Sequence, residues 1–555
     1  MAVSAEKPLR KPAFGVTGSI GGLWRTVELT VLYAYAACFI LIVFLKAANV
    51  SKEYGNVGTG SWLWGLKEGW IMGKKVDLSD SQWRNFRSNL PVLAVVMGLF
   101  TAIGQAFRSA FQPRLRGMSW FWLLLSLLYV TYLHGASALF IVAIALGNYL
   151  IVKLLGGTFI FPTILWGYNV FFLIMNRVYG GYKFSSLGES FAYLDHYRGV
   201  MRWHIGFNLV MLRLVSFGLD FHWALVSRPS TTNWEKHTKT CKVCQAGGSC
   251  YLARQETALK IEDYNLVTYL AYLLFAPLYV AGPTISYNAF ASQLDIPQKS
   301  ESNLRVFIYG LRWLACMALM EVLTHYCYFN SLAISGVWQR LSPLEVFIVG
   351  YGVLNFMWLK FLLIWRFFRF WPLAGGIEAP ENMLRCVNNC YDLEGFWKSW
   401  HASYNRWLVR YMYIPLGGSD WRMINVWVIF TFVAIWHDLE WKLLSWAWVT
   451  CLLFIPEISL KYLINTKLTQ SFRTSWWFIE CCAMAGAINI CGLMVANLIG
   501  FVVGPSGIQH LASLMFTAEN IPVLLGIFIT FYVGCKIMFH IRERENSSQG
   551  KVVTD

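Results

Sequence analysis

The amino-acid sequence predicts an all-α, polytopic integral membrane protein. We expect a single domain of about eleven to thirteen transmembrane or re-entrant helices around a central cavity or tunnel. Three observations carry this reading. Hydrophobic residues make up 57% of the chain and charged residues only 14%, against roughly 25% charge in soluble domains. Mean hydropathy is +0.47. The apolar residues also gather into runs of roughly the 20 residues that a helix needs to cross a bilayer.

Those runs justify the elements in order. A polar, basic tail covers 1–26. Clear spans follow at 27–46, 90–107, 119–134, 136–155, 158–176, 264–287, 304–329, 344–365, 442–462, 476–503 and 521–540. Runs at 204–219 and 423–437 are shorter or more polar and suit either spans or re-entrant pieces. The multi-helix domain thus covers 27–541, and a polar tail covers 542–555. Polar loops are expected at 47–89, with a sequon at Asn49, and at 226–262; a basic, aromatic, interfacial region is expected at 366–422. No fixed-period repeat stands out.

Net charge is +16 across the 555 residues. The basic residues are scattered between apolar runs, where they face lipid phosphates. Nucleic-acid binding needs a basic patch, and none is present. Membrane phospholipids are therefore the expected surroundings. Of thirteen cysteines, seven fall inside apolar runs and read as small buried hydrophobes. Cys386 and Cys390, four apart, read as packing residues. The stretch CKVCQAGGSC contains Cys241, Cys244 and Cys250. Zinc ligation with His237 as fourth ligand, a disulfide, and a plain solvated loop all fit it; the solvated loop is the reading adopted, and no metal is assigned. His134, His196, His204, His222 and His325 form no i, i+4 metal pair.

The chemistry concentrates in two stretches. In EGFWKSWHASYNRWLVRYMYIPLGG, residues 394–418, aromatic residues recur every three or four positions, which predicts one helix with an aromatic face, ended by Pro415 and Gly417–Gly418. On that helix Trp397 and Asn405 would flank His401 at four residues either side. Arg406 and Arg410, with Arg366 and Arg369 in the preceding LIWRFFRFW, offer cations for a polyphosphate such as that of coenzyme A, or for lipid headgroups. In the second stretch, His437 lies among Phe432, Val433, Trp436 and Trp441. Such surroundings favour a neutral imidazole, which can take a proton from a hydroxyl. A histidine satisfied by a neighbouring carbonyl in a helix bundle is the alternative. The two histidines are 36 residues apart, near enough for a turn and one return segment to bring them into one cavity.

These two stretches together resemble the membrane-bound O-acyltransferase family. Further resemblance lies in KVDLSDSQWRNFRSN, YLDHYRGVMRW, FAPLYVAGPTISYN and ENMLRCVNNCYDLEGFW, so it runs from about residue 65 to the last helix. The resemblance implies transfer of a long fatty acyl chain from acyl-coenzyme A, as co-substrate, to a lipid hydroxyl, with no other cofactor. The family's histidine maps onto His437 as general base. Its second polar position, which is His, Asn or Asp in different branches, maps onto His401, for orienting substrate or stabilising the oxyanion. Asn405, Trp400, Trp436, Arg366, Arg369, Arg406 and Arg410 are expected to bind substrate. Within the family the resemblance is nearest to a fungal branch linked to glycerol uptake and to remodelling of glycosylphosphatidylinositol (GPI) lipid anchors, which implies a lyso-GPI acceptor and the endoplasmic reticulum membrane. A transporter of glycerol or another small polyol is the alternative.

Overall fold

The computed structural model describes residues 19–55, 63–112, 114–228, 232–298, 301–467 and 475–552. Most of the expected tail at 1–26 and parts of the expected loops lie outside them. The first long helix is α1 (Ser19–Gly55). A short hairpin follows, β1 (Leu66–Glu68) and β2 (Lys75–Asp77), antiparallel with Leu66 opposite Asp77. Next come α2 (Ser81–Phe111), α3 (Leu115–His134), α4 (Ala138–Leu155), α5 (Phe161–Val178) and α6 (Trp203–Leu225). Three short helices follow: α7 (Trp234–Thr240), α8 (Lys242–Gln245) and α9 (Tyr251–Glu256). The chain continues through α10 (Leu266–Leu274), α11 (Ala276–Tyr279), α12 (Tyr287–Asp295), α13 (Asn303–Tyr326), α14 (Phe329–Ile334) and α15 (Pro343–Ala374). It ends with α16 (Leu393–Ser399), α17 (Ala402–Leu408), α18 (Arg422–His437), α19 (Trp441–Lys467), α20 (Trp476–Leu498), α21 (Gly504–Met515) and α22 (Ile521–Val552).

Among the described residues, nine helices are long and apolar enough to cross a membrane. This bears out the polytopic all-α fold. Outer helices such as α1 leave Val31, Ile40 and Leu41 exposed, as lipid-facing residues must be. By contrast α6 is buried along nearly its whole length, enclosed by α4, α5 and α10. Several expected boundaries shift outward. The sequon Asn49 lies in α1, not in a loop; residues 81–89 open α2; 366–374 finish α15; and α22 runs through 542–552. Polar residues at helix ends hide these extensions from a hydropathy reading, because helices continue past the hydrocarbon. Cys38 and Cys481, expected to be buried, sit on exposed outer faces.

The largest correction concerns 264–287, expected as one span. The chain there is two short helices, α10 and α11, broken at Phe275 ahead of Pro277, which cannot supply an N–H inside a helix. From Thr268 to Leu274, from Ala276 to Tyr279 and from Gly282 to Leu294 nearly every residue is buried in protein. Broken backbone at such depth is tolerated only if its polar groups find partners. Arg213 of α6, itself 2% exposed, supplies them. Its guanidinium donates to Leu273 O at 2.7 Å, to Tyr272 O at 3.4 Å, and to Leu278 O. Replacing it leaves these carbonyls without donors, at about 1–3 kcal/mol each. Arg213→Met is expected to lower the thermal unfolding midpoint of the detergent-purified protein by several degrees, and Arg213→Lys, which keeps one donor group, by less; fluorescence-detected size exclusion after heating reads both.

Candidate active site

The helix expected over 394–418 is in fact interrupted at the residue that matters. α16 ends at Ser399, His401 adopts φ 45° and ψ 47°, and α17 starts at Ala402. A left-handed backbone is uncommon for a residue with a side chain and needs support from its surroundings. Asn382, wholly buried, gives that support. Its backbone carbonyl accepts from the Ala402 N–H at 3.0 Å, and its side-chain Oδ1 accepts from the Ser403 N–H at 3.1 Å. Ser403 Oγ in turn accepts the Thr284 N–H at 2.8 Å, tying the turn to the broken segment after α11. The break moves His401 off the helical face predicted to carry it with Trp397 and Asn405. Its ring lies instead flat on Trp365 of α15, centroids 4.4 Å apart and planes 14° apart.

His437 is the last residue of α18. Its carbonyl accepts from Arg177 Nη2 at 2.9 Å, and Arg177 also pairs with Asp438 at 3.5 Å. The preceding Trp436 is fixed to α6: its indole N–H donates to Asn208 O at 2.9 Å, and the Asn208 amide donates back to Trp436 O. Trp436 is the shared wall. Its ring centroid lies 4.8 Å from that of His437 and 6.1 Å from that of His401, and it stacks on Tyr404 at 4.4 Å. Neither imidazole has a hydrogen-bond partner among the described residues. The Tyr404 hydroxyl and the Trp397 indole N–H are likewise buried without partners.

Both histidines line one cavity of about 1810 Å³. Its walls are apolar over long stretches, with Val92, Leu93 and Val96 of α2, Leu354, Phe361 and Ile364 of α15, and Ile429 and Val433 of α18. Polar groups gather at separate parts of the wall. Arg177, Arg202, Glu440 and Lys442 line it with His437, while Asp80, Asn85 and Lys360 line it from α2 and α15. Lys360 Nζ donates to Asp80 Oδ2 at 2.7 Å.

Of the residues expected to bind substrate, Asn405, Trp400 and Trp436 line this cavity. The four arginines do not. Arg366 and Arg369 are drawn to Glu381, at 3.5 and 3.8 Å, and Arg369 also donates to Ala379 O. Arg410 pairs with Asp220 at 3.2 Å and with Glu256, and stacks over Trp223. Arg406 is exposed outside the cavity. Desolvated cations seek carboxylates, and those carboxylates lie too far along the chain for spacing to reveal. The cavity's own cations, Arg177, Arg202, Lys360 and Lys442, were not singled out as ligands from sequence, nor were Asn208 and Asn382. One signal was present: Asn208, Arg213, Ser216 and Asp220 are polar residues inside a run apolar enough to span.

Fold and site together define a membrane-embedded enzyme whose two uncommitted imidazoles face a cavity of lipid dimensions. The model of the "MBOAT, membrane-bound O-acyltransferase family" matches residues 181–499. The chain is 37% identical to the membrane-bound O-acyltransferase gup1 of Schizosaccharomyces pombe, with 86% of this chain and 82% of the relative aligned. It is 35% identical to the membrane-bound O-acyltransferase GUP1 of Saccharomyces cerevisiae, over 94% and 92%. A shorter match, 25% identical over 36% of this chain and 41% of the relative, is to the mouse protein-cysteine N-palmitoyltransferase HHAT. This chain belongs to the membrane-bound O-acyltransferase family and is an acyltransferase.

Asn382 holds the His401 turn without lining the cavity. Asn382→Ala is expected to lower acyl-transfer kcat by roughly tenfold to a hundredfold, since misplacing a group by about 1 Å has that cost. The KM for the acyl donor is expected to move much less. Steady-state kinetics on purified protein separates the two.

Proposed function

We propose that this enzyme transfers a long fatty acyl chain from acyl-coenzyme A to the hydroxyl of a lipid, with His437 as general base. The observation that carries the reading is the pair of imidazoles, both without hydrogen-bond partners among the described residues, beside the Trp436 ring in one cavity. An uncommitted imidazole next to apolar walls is free to take the proton of an incoming alcohol. The acceptor oxygen attacks the thioester carbonyl carbon as His437 removes its proton. The tetrahedral intermediate carries its negative charge on the former carbonyl oxygen, where the His401 N–H and the Tyr404 hydroxyl can donate. The carbon–sulfur bond then breaks, and the proton on His437 passes to the departing sulfur. The products are an ester and free coenzyme A, and no metal or redox partner enters the balance.

The long apolar walls suit the acyl chain and exclude the water that would hydrolyse the thioester. Arg202 lines the wall with His437 and is the cation we assign to the coenzyme phosphates; Lys442, also in the wall, pairs with Glu440 at 2.7 Å. The finer reading, a lyso-GPI acceptor in the endoplasmic reticulum membrane, rests on the motif resemblance to the fungal branch.

His437→Ala is expected to lower turnover by about 10²–10⁴-fold while acyl-coenzyme A still binds. Tyr404→Phe is expected to lower kcat by a smaller factor, leaving stability intact because its hydroxyl has no hydrogen-bond partner among the described residues to lose. Labelled acyl-coenzyme A and a lyso-lipid in nanodiscs measure both. Undiminished turnover in His437→Ala would remove the base from the mechanism, and polyol flux without acyl transfer would favour a transporter.

A further inference from the structure

The segment between α6 and α10 takes no part in the cavity, yet it gathers four side chains of one chemical kind. His237 sits in the last turn of α7, and Cys241 follows the helix end. Cys244 is carried by the single turn of α8. The chain then reverses at Gly247, whose φ of 75° suits a residue without Cβ. Cys250 caps α9, its sulfur accepting the Ala253 N–H at 3.4 Å. The ligand atoms of all four residues lie within 4.8 Å of one another. His237 Nε2 is 3.3 Å from Cys250 Sγ and 3.5 Å from Cys244 Sγ.

The two sulfur–nitrogen distances are close to the edges of a metal tetrahedron. With metal–sulfur bonds of about 2.3 Å and metal–nitrogen bonds of about 2.0–2.1 Å, the sulfur–nitrogen edges come to about 3.6 Å and the sulfur–sulfur edges to about 3.8 Å. We propose that His237, Cys241, Cys244 and Cys250 bind one zinc ion. Three thiolates and one imidazole select zinc over calcium or magnesium, which take oxygen ligands. Four protein ligands leave no open position, so the ion is structural. Lys236, Lys239 and Lys242 in the same segment carry charge opposite to the net negative charge of such a site.

The segment needs such a clasp, because neither α7 nor α8 buries a single residue. Few apolar contacts are available to order it, and small units of this kind rely on metals or disulfides. What the ion would hold is α9. Arg254 of that helix donates to Ser292 O at 3.3 Å and to Ile296 O at 3.1 Å, seating it on α12. Its neighbours Gln255 and Glu256 accept from Arg410, in the turn that follows α17. Zinc would thus brace, from outside, the segment that begins at His401. The site stands independently of the acyl-transfer mechanism above.

The test is metal content of the full chain, purified without chelators. Inductively coupled plasma mass spectrometry is expected to find about one zinc per chain. Cys244→Ser should lower that at least roughly tenfold, and Cys481→Ser, on an outer helix face, should leave it unchanged. Cobalt added to zinc-stripped wild-type protein should show the thiolate charge-transfer and ligand-field bands of a tetrahedral site. Wild-type protein that neither carries zinc nor gives those cobalt bands overturns the proposal. So does non-reducing peptide mapping that finds a disulfide between any two of Cys241, Cys244 and Cys250.

Discussion

Asn208, Leu212, Ser216 and Asp220 recur every four residues along α6, so they form one stripe on a helix buried in the middle of the protein. Together they hold the two histidine-bearing segments. Asn208 fixes Trp436, and the Leu212 carbonyl accepts the Trp407 indole N–H at 3.0 Å. The Ser216 hydroxyl meets the Tyr411 hydroxyl at 2.7 Å, and Asp220 accepts from Tyr411 and Arg410. Polar groups in hydrocarbon have no water to fall back on, so each of these partners is close to obligatory. One helix therefore sets the register of both histidine-bearing segments. On an adjoining face Arg213 holds the broken segment, from which Thr284 reaches back to Ser403 beside His401. The two imidazoles share one cavity because two strands of hydrogen bonding start from the same rod.

The rest of the molecule can be read as packing around that rod. The outer spans present apolar faces to lipid and enclose a cavity whose walls alternate long greasy stretches with small polar groups. This division fits the proposed reaction, which brings a water-soluble thioester carrier and a membrane lipid to the same point. A soluble active site exposes its loops to solvent; here the breaks after α10 and at His401 lie inside, paired with buried side chains.

The sequence reveals some levels of this arrangement and conceals others. Spans were legible because an apolar run of bilayer length is seldom anything but a membrane helix, and His437 was legible because an imidazole in such a run is costly. The break at Phe275 was not, since residues 264–287 have a span's hydropathy and the compensating cation lies in another helix. The left-handed turn at His401 was hidden for a related reason. The three-to-four spacing of aromatic residues persists across it because α16 and α17 both bury aromatic side chains, so the period survives although the helix does not. The arginines show the limit of spacing arguments most plainly. Arg410 finds its carboxylates 190 and 154 residues away, and a cation already committed to Asp220 and Glu256 looks, in sequence, the same as one free to meet phosphate. Near CKVCQAGGSC the converse holds: the ligand spacing was visible, but only the fold brings His237 to the three sulfurs.

The twist of the backbone at His401 limits which amino acids its gene can encode there. Outside glycine, the side chains that best tolerate this conformation are Asn, Asp and His, whose polar atoms lie close to their own main chain. Conformation thus filters position 401 before chemistry does: the turn admits a short menu, and the reaction must choose from it.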